Sequence, residues 1–303
     1  MPLDPAIAAF LSEVEKAGPP INELPVELAR LEIDNIAPLG GEGADVASQE
    51  ETTIAGLPVV VYTPHGEGPF PVLVWLHGGG FVIGGPKHYH GTCRDLAAGA
   101  GCIVVSVDYR LATDHKAPAA VDDSIAAVGW VLDHAGELGG DPHRIAVGGD
   151  SAGGNLSALV AQHFGRRLVA QLLVYPTTDL TMSAPSIDEN AEGLFLTKAS
   201  MEWFIGHYMD DSGLTRDDPR VSPAHSPDEV LAGTPPALVI TAEFDPLRDE
   251  GEAYGARLHG AGVPTKVRRF DGMIHAFYVM RVITPAAVDA IDESVDFLRA
   301  AFH

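Results

Sequence analysis

The chain has 303 residues, 46% of them hydrophobic, and carries 42 acidic against 19 basic side chains, a formal net charge of −23 at pH 7. That balance excludes nucleic acid and anionic membrane surfaces as partners, while the apolar fraction supports a sizeable core, either one large domain with an elaborated lid or two domains. No run of 18 apolar residues occurs, so no membrane span is expected, and Met1-Pro2-Leu3-Asp4-Pro5 lacks the basic-then-apolar pattern of a secretory signal, which points to a cytoplasmic location.

Residues 1–45 contain amphipathic stretches, with Ile7, Phe10, Leu11 and Val14 at helical spacing, and end on Gly40-Gly41-Glu42-Gly43. From Val59 onward short β-branched runs alternate with helical ones. The expected strands are Val59–Tyr62, Val72–Leu76, Ile103–Val107, Ile145–Val147, Leu172–Tyr175, Ala237–Ile240 and Lys266–Phe270. Helices are expected over Pro118–His134, Leu156–His163, Asp249–Gly260 and Pro285–Phe302, the last with Val288, Ile291, Val295 and Leu298 on one face. Such alternation predicts an α/β fold with a mostly parallel sheet, helices on both faces and a site at the carboxyl ends of the strands. Cys93 and Cys102 fit no metal spacing and read as reduced, mostly buried thiols.

The second strand runs into His77-Gly78-Gly79-Gly80-Phe81. Consecutive glycines leaving a strand let the backbone approach another group closely and aim amide N–H groups at it, which is what an oxyanion hole requires. The loop lacks the Gly-Lys-Ser/Thr ending of a phosphate-binding loop, and its Phe81, Val82 and Ile83 are too apolar for a linker. Further on, Gly149-Asp150-Ser151-Ala152-Gly153 lies between a strand and a helix. A serine on so tight a turn is pushed out at the end of the sheet, its neighbours must be small, and the helix after it offers free N–H groups. Asp150 is read as a structural residue at the helix start, and His77, His88 and His90 as structural residues near the glycine loop.

Residues 181–221 break the alternation and bring Phe195, Met201, Trp203, Phe204, Tyr208 and Met209. They insert after a strand end near the expected site, so they read as a cap whose apolar underside roofs a pocket. Asp245 then follows a strand and precedes Pro246, and His275 follows the strand ending at Phe270. A serine nucleophile needs a base and the base an orienting acid; the chain order Ser151, Asp245, His275 is that of α/β-hydrolases.

Six blocks carry a resemblance: His77–Gly84, Asp108-Tyr109-Arg110-Leu111, Gly148–Asn155, Tyr175-Pro176, Asp245–Asp249 and Gly272-Met273-Ile274-His275. With them the chain resembles the hormone-sensitive-lipase family of microbial carboxylesterases, in the branch whose elbow reads Gly-Asp-Ser-Ala-Gly. The resemblance implies an α/β-hydrolase fold with a helical cap that hydrolyses esters of short to medium acyl chains without cofactor or metal. By position it makes Ser151 the nucleophile, Asp245 the acid, His275 the base, and the N–H groups of Gly79, Gly80 and Ala152 the oxyanion hole. Phe81, Phe195, Trp203, Phe204, Tyr208, Ile274 and Phe277 form the expected substrate-binding set.

Two departures stand out. Where the family usually continues Asp-Tyr-Arg-Leu-Ala-Pro-Glu-His, this chain has Thr113-Asp114-His115, which alters packing beside the site. Ala276 stands where a glycine is common, which implies an ordinary negative φ there. The implied organisation is 1–45 as N-terminal cap helices, 181–221 as a cap insertion, and 46–180 with 222–303 as the catalytic domain. The partner is a small-molecule ester, and a homodimer is compatible with the chain. An arylformamidase or amidase with the same triad, or a receptor that has lost turnover, are the competing readings; leaving-group recognition depends on pocket shape, which sequence does not show.

Overall fold

The computed structural model describes residues 2–303. Eight strands form one sheet: β1 (Ser48–Ile54), β2 (Leu57–Thr63), β3 (Phe70–Leu76), β4 (Ile103–Val107), β5 (Gly140–Asp150), β6 (Ala170–Val174), β7 (Ala237–Phe244) and β8 (Thr265–Ile274). Their spatial order is β1-β2-β4-β3-β5-β6-β7-β8. The first two joins, β1 with β2 and β2 with β4, are antiparallel and all later ones parallel. All seven expected strands are present. β1 was not anticipated, because its Gln49-Glu50-Glu51-Thr52-Thr53 run is polar and exposed rather than apolar.

Ten helices surround the sheet: α1 (Pro5–Ala17), α2 (Val26–Ile36), α3 (His90–Ala100), α4 (Ala119–His134), α5 (Ala152–Phe164), α6 (Pro185–Glu189), α7 (Lys198–Met209), α8 (Asp228–Leu231), α9 (Arg248–Gly260) and α10 (Pro285–Phe302). Strand alternation sorts the core into two layers. Val72, Val74 and Leu76 of β3 face α4 and α5, packing with Val128, Leu156 and Val160. Leu73 and Trp75 of the same strand face α3 and α10, packing with Leu96, Ile291 and Leu298. Burying each such side chain contributes about 1.5–3 kcal/mol, which holds the sheet rigid between two helical layers. On α10 the buried stripe is Ala287, Ala290, Ile291, Val295, Leu298 and Phe302; Val288 lies off it and is exposed, a correction to the face read from the sequence.

Helix starts follow local chemistry. At α1, Pro5 occupies the first turn and Asp4 accepts from the N–H groups of Ala6 and Ile7, at 2.9 and 3.2 Å. At α7, Thr197 and Ser200 form a reciprocal capping pair. The parallel register aligns the strand ends that matter: Leu76 pairs with Gly149, and Asp150 with Val174. The glycine loop, Ser151, Asp245 and His275 therefore leave β3, β5, β7 and β8 at one end of the sheet.

Candidate active site

Ser151 has φ 54° and ψ −118°, a region costly for a residue with a side chain. The turn holds it there through the surrounding backbone. The Ser151 N–H donates to the Val174 carbonyl at 2.9 Å, and a Cβ on Gly153 would sit 1.9 Å from the Leu76 carbonyl oxygen. A Cβ on Gly149 would lie 2.3 Å from that same oxygen, so neither glycine admits a side chain. The Ser151 hydroxyl donates to His275 Nε2 at 3.0 Å. His275 Nδ1 donates to Asp245 Oδ2 at 2.8 Å, and Asp245 is fully buried. The other Asp245 oxygen accepts from the Leu247 N–H at 2.9 Å, so the carboxylate is fixed on both sides. Asn190, which the sequence did not single out, donates to the Asp245 carbonyl at 3.2 Å.

Facing Ser151, the glycine loop carries three successive positive φ values: 120° at Gly79, 59° at Gly80 and 65° at Phe81. A Cβ on Gly79 would approach the Ile83 carbonyl to 2.1 Å. Ala152 opens α5, so its N–H has no carbonyl one turn earlier to bond. Gly79, Gly80 and Ser151 all line one cavity. Asp150 does not act at the helix start as the sequence reading had it. Ser151 is the N-cap of α5, and the buried Asp150 carboxylate turns back toward the glycine loop. It accepts from the Gly78 N–H at 2.9 Å and from the Tyr89 hydroxyl at 2.9 Å. Burial pushes its pKa up to about 6, with the Tyr89 hydrogen bond opposing the rise. His77 is buried against Tyr109, ring centres 4.2 Å apart, and burial lowers it to about 4, so it is neutral at pH 7.

Beneath the floor, the buried Glu250 of α9 ties down the segment after β6: one oxygen accepts from the N–H groups of Thr178 and Asp179, at 2.6 and 3.1 Å. Its other oxygen has no partner, and burial drives its pKa up to about 8.

The cavity measures about 950 Å³ and is bounded by α1, α2, α7, the glycine loop, Ser151 and His275. Of the expected substrate-binding residues, Phe81, Phe195 and Phe204 line it. Four do not. Trp203 packs its ring against Phe204 and His207, and Tyr208 is fully buried, stacked 3.9 Å from Phe81. Ile274 and Phe277 are buried in the core layer behind His275, where Phe277 meets Tyr175 and Phe270. Aromatic content alone does not separate residues on a helix's cavity face from those on its core face. Ala276 also corrects the sequence reading, for its φ is +68°. The sequence reading missed the opposite wall: Phe10 and Leu11 of α1 and Ile33 and Ile36 of α2 line the cavity, and Phe10 lies 6.0 Å from Phe195. The signal was present in the α1 amphipathicity, but Ile7 faces the core and Phe10 the cavity, a division no periodicity discloses.

Cys93 and Cys102 are buried and unbonded to each other, and burial raises the Cys102 thiol to about 12. Among the described residues no group of three or more His, Cys, Asp or Glu side chains is placed to hold a metal, and no helix is long and apolar enough to cross a membrane.

Fold and site together define a serine hydrolase of the α/β type, and comparison with known proteins agrees. The sequence profile of the alpha/beta hydrolase fold family matches residues 73–279. A carboxylesterase of Mycobacterium tuberculosis, NlhH, is 43% identical over 258 residues, 82% of this chain and 80% of its own. An ethyl acetate hydrolase of Pseudomonas putida is 35% identical over 99% of both chains. Among solved structures, a hyperthermophilic esterase from the archaeon Pyrobaculum calidifontis superposes with a TM-score of 0.92 at 35% identity, covering 99% of each chain. The chain belongs to the α/β-hydrolase family, in its hormone-sensitive-lipase-like branch, and is a carboxylic ester hydrolase.

Proposed function

We propose that the chain hydrolyses small apolar esters through Ser151, His275 and Asp245. The observation that carries this reading is the continuous line of hydrogen bonds, 3.0 Å from Ser151 to His275 and 2.8 Å from His275 to Asp245, opening on an apolar cavity. As Ser151 Oγ attacks the acyl carbon, its proton passes to His275 Nε2. The oxyanion is held by the N–H groups of Gly79, Gly80 and Ala152. His275 then returns the proton to the departing alcohol, and water repeats the cycle on the acyl-enzyme. Asp245 keeps the Nδ1–H tautomer and stabilises the imidazolium. Every step uses a group of the protein.

Residues 1–45 and 181–221 act in this reading as a two-part cap. Phe10, Phe195 and Phe204 hold the ester, and its acyl chain is short to medium. Each added methylene gains about 0.8 kcal/mol while apolar wall remains, then nothing. Replacing Ser151 by alanine is expected to keep the fold and remove on the order of three to six decades of turnover. With wild-type protein, kcat/KM on p-nitrophenyl esters from acetate to palmitate should pass through a maximum near butyrate or hexanoate. A Ser151→Ala protein with a tenth of normal activity sinks the nucleophile assignment. A rate still rising at palmitate sinks the pocket.

A further inference from the structure

The glycine loop turns through three successive positive-φ residues, the last of them, Phe81, at a costly angle for a residue with a side chain, and such a conformation persists only where neighbours hold it from several sides. Its entry is held by the catalytic core, through Asp150 and Tyr89 on the Gly78 N–H. Its tip is held differently. The Phe81 carbonyl accepts from the Ala112 N–H at 2.8 Å, and the Phe81 ring stacks on Tyr208 of α7. The Val82 carbonyl accepts from Nε of Arg30, a side chain of α2, at 3.2 Å. The same guanidinium donates to the Thr113 hydroxyl and lies 3.6 Å from Asp114. These two positions are where the chain departs from the family motif, and a proline in place of Thr113 offers no hydroxyl. One turn along α2, Asp34 pairs with Lys87 and His88 at the loop's far end, at 2.6 and 2.7 Å. An adjoining side of α2, through Ile33 and Ile36, is cavity wall.

We infer that Arg30 is a positioning residue for the oxyanion hole: it makes the working shape of the glycine loop conditional on α2 being docked over the substrate. The inference rests on the proposed role of the Gly79 and Gly80 amides. When α2 is seated, Arg30 draws the Val82 carbonyl outward and keeps the two amides aimed at the reacting oxygen. When α2 lifts, the loop loses that anchor, so an open cap and a competent hole do not coexist.

The test uses Arg30→Met, which keeps the aliphatic stem and removes every donor, assayed on p-nitrophenyl acetate and hexanoate. The expected result is a kcat about tenfold lower on both esters alike, with KM changed less than twofold, because a misaimed donor weakens transition-state binding whatever the acyl length. Millimolar guanidinium added to Arg30→Ala should restore part of the lost kcat. An unchanged kcat, a loss confined to hexanoate, no rescue by guanidinium, or a variant that no longer folds overturns the proposal. Ser151→Ala assayed in parallel keeps the two readings apart: its inactivity upholds the triad whatever Arg30→Met does.

Discussion

The floor and the roof of the cavity are built on different terms. Below, Ser151, the glycine loop and His275 are set by backbone packed against backbone and by buried hydrogen bonds, with Gly149 and Gly153 lying against the Leu76 carbonyl. Above, α1, α2 and α7 offer half-buried apolar side chains, and the polar ties at the α2 margin are partly exposed ones such as Arg30 and Asp34. The floor tolerates no added atom, while the roof is a surface that can be resurfaced. Chemistry and selectivity thereby lean on different parts: the reacting groups are set by packed backbone below and substrate choice by exchangeable side chains above, with Arg30 of α2 as the proposed tie between them.

The sharpest way to break this contrast is one substitution made twice. Gly153 and Gly206 both lie in helices, α5 below and α7 above. At Gly153 an alanine Cβ would meet the Leu76 carbonyl oxygen at 1.9 Å, whereas at Gly206 its nearest neighbour is an Asp210 carboxylate oxygen at 3.7 Å. Gly153→Ala is expected to cost on the order of 3 kcal/mol and nearly all activity, because only backbone can yield there. Gly206→Ala is expected to stabilise by about 0.5–1 kcal/mol, the usual gain for alanine within a helix. Thermal melts of both variants decide it; equal shifts in one direction would falsify the contrast.

A smaller effect is expected from Phe10→Ala in the roof. Losing this half-buried ring should lower kcat/KM for p-nitrophenyl hexanoate about five- to thirtyfold and leave acetate nearly unchanged. A loss of equal size on both esters would place Phe10 in the support of the floor instead.

The smallest concerns the buried carboxyl of Glu250. Glu250 has a folded pKa raised from 4.5 to about 8, so the folded state holds its proton more tightly than the unfolded chain does. Its contribution therefore favours folding at low pH and is lost as pH rises from about 4.5 through about 8. In Glu250→Gln the amide oxygen still accepts from Thr178 and Asp179 without the charge. Wild type should lose a few degrees of Tm between pH 5 and pH 9 relative to the variant, as followed by circular dichroism. Parallel Tm profiles would show that the carboxyl titrates elsewhere.

Much of the floor was legible before any coordinates. Ser151 and Asp245 each follow an apolar run at a strand end, His275 follows the strand-like run ending at Phe270, and glycines mark where the backbone doubles back, so order along the chain pointed to one shared site. Which of the roof's side chains face the cavity was less legible, for a physical reason. Phe204 and Trp203 are adjacent aromatic residues of one helix, yet only Phe204 lines the cavity. Which face a short amphipathic helix turns inward depends on what it docks against. Asp150 was misplaced for a related reason: position beside the nucleophile suggests a cap, but the buried acceptor was needed by Gly78 and Tyr89, more than 60 residues upstream.

The polar first strand, invisible to periodicity, has its own consequence. β1 forms one open margin of the sheet and presents Gln49, Glu50 and Glu51 to solvent. An open strand is a template on which a second chain can add by hydrogen bonding. Two molecules meeting margin to margin here would bring carboxylates close together on the newly joined strands, in a protein already at −23. Extension of the sheet at β1 is thus expected to be opposed by repulsion, which disfavours fibrous stacking on that side in a crowded solution of this enzyme.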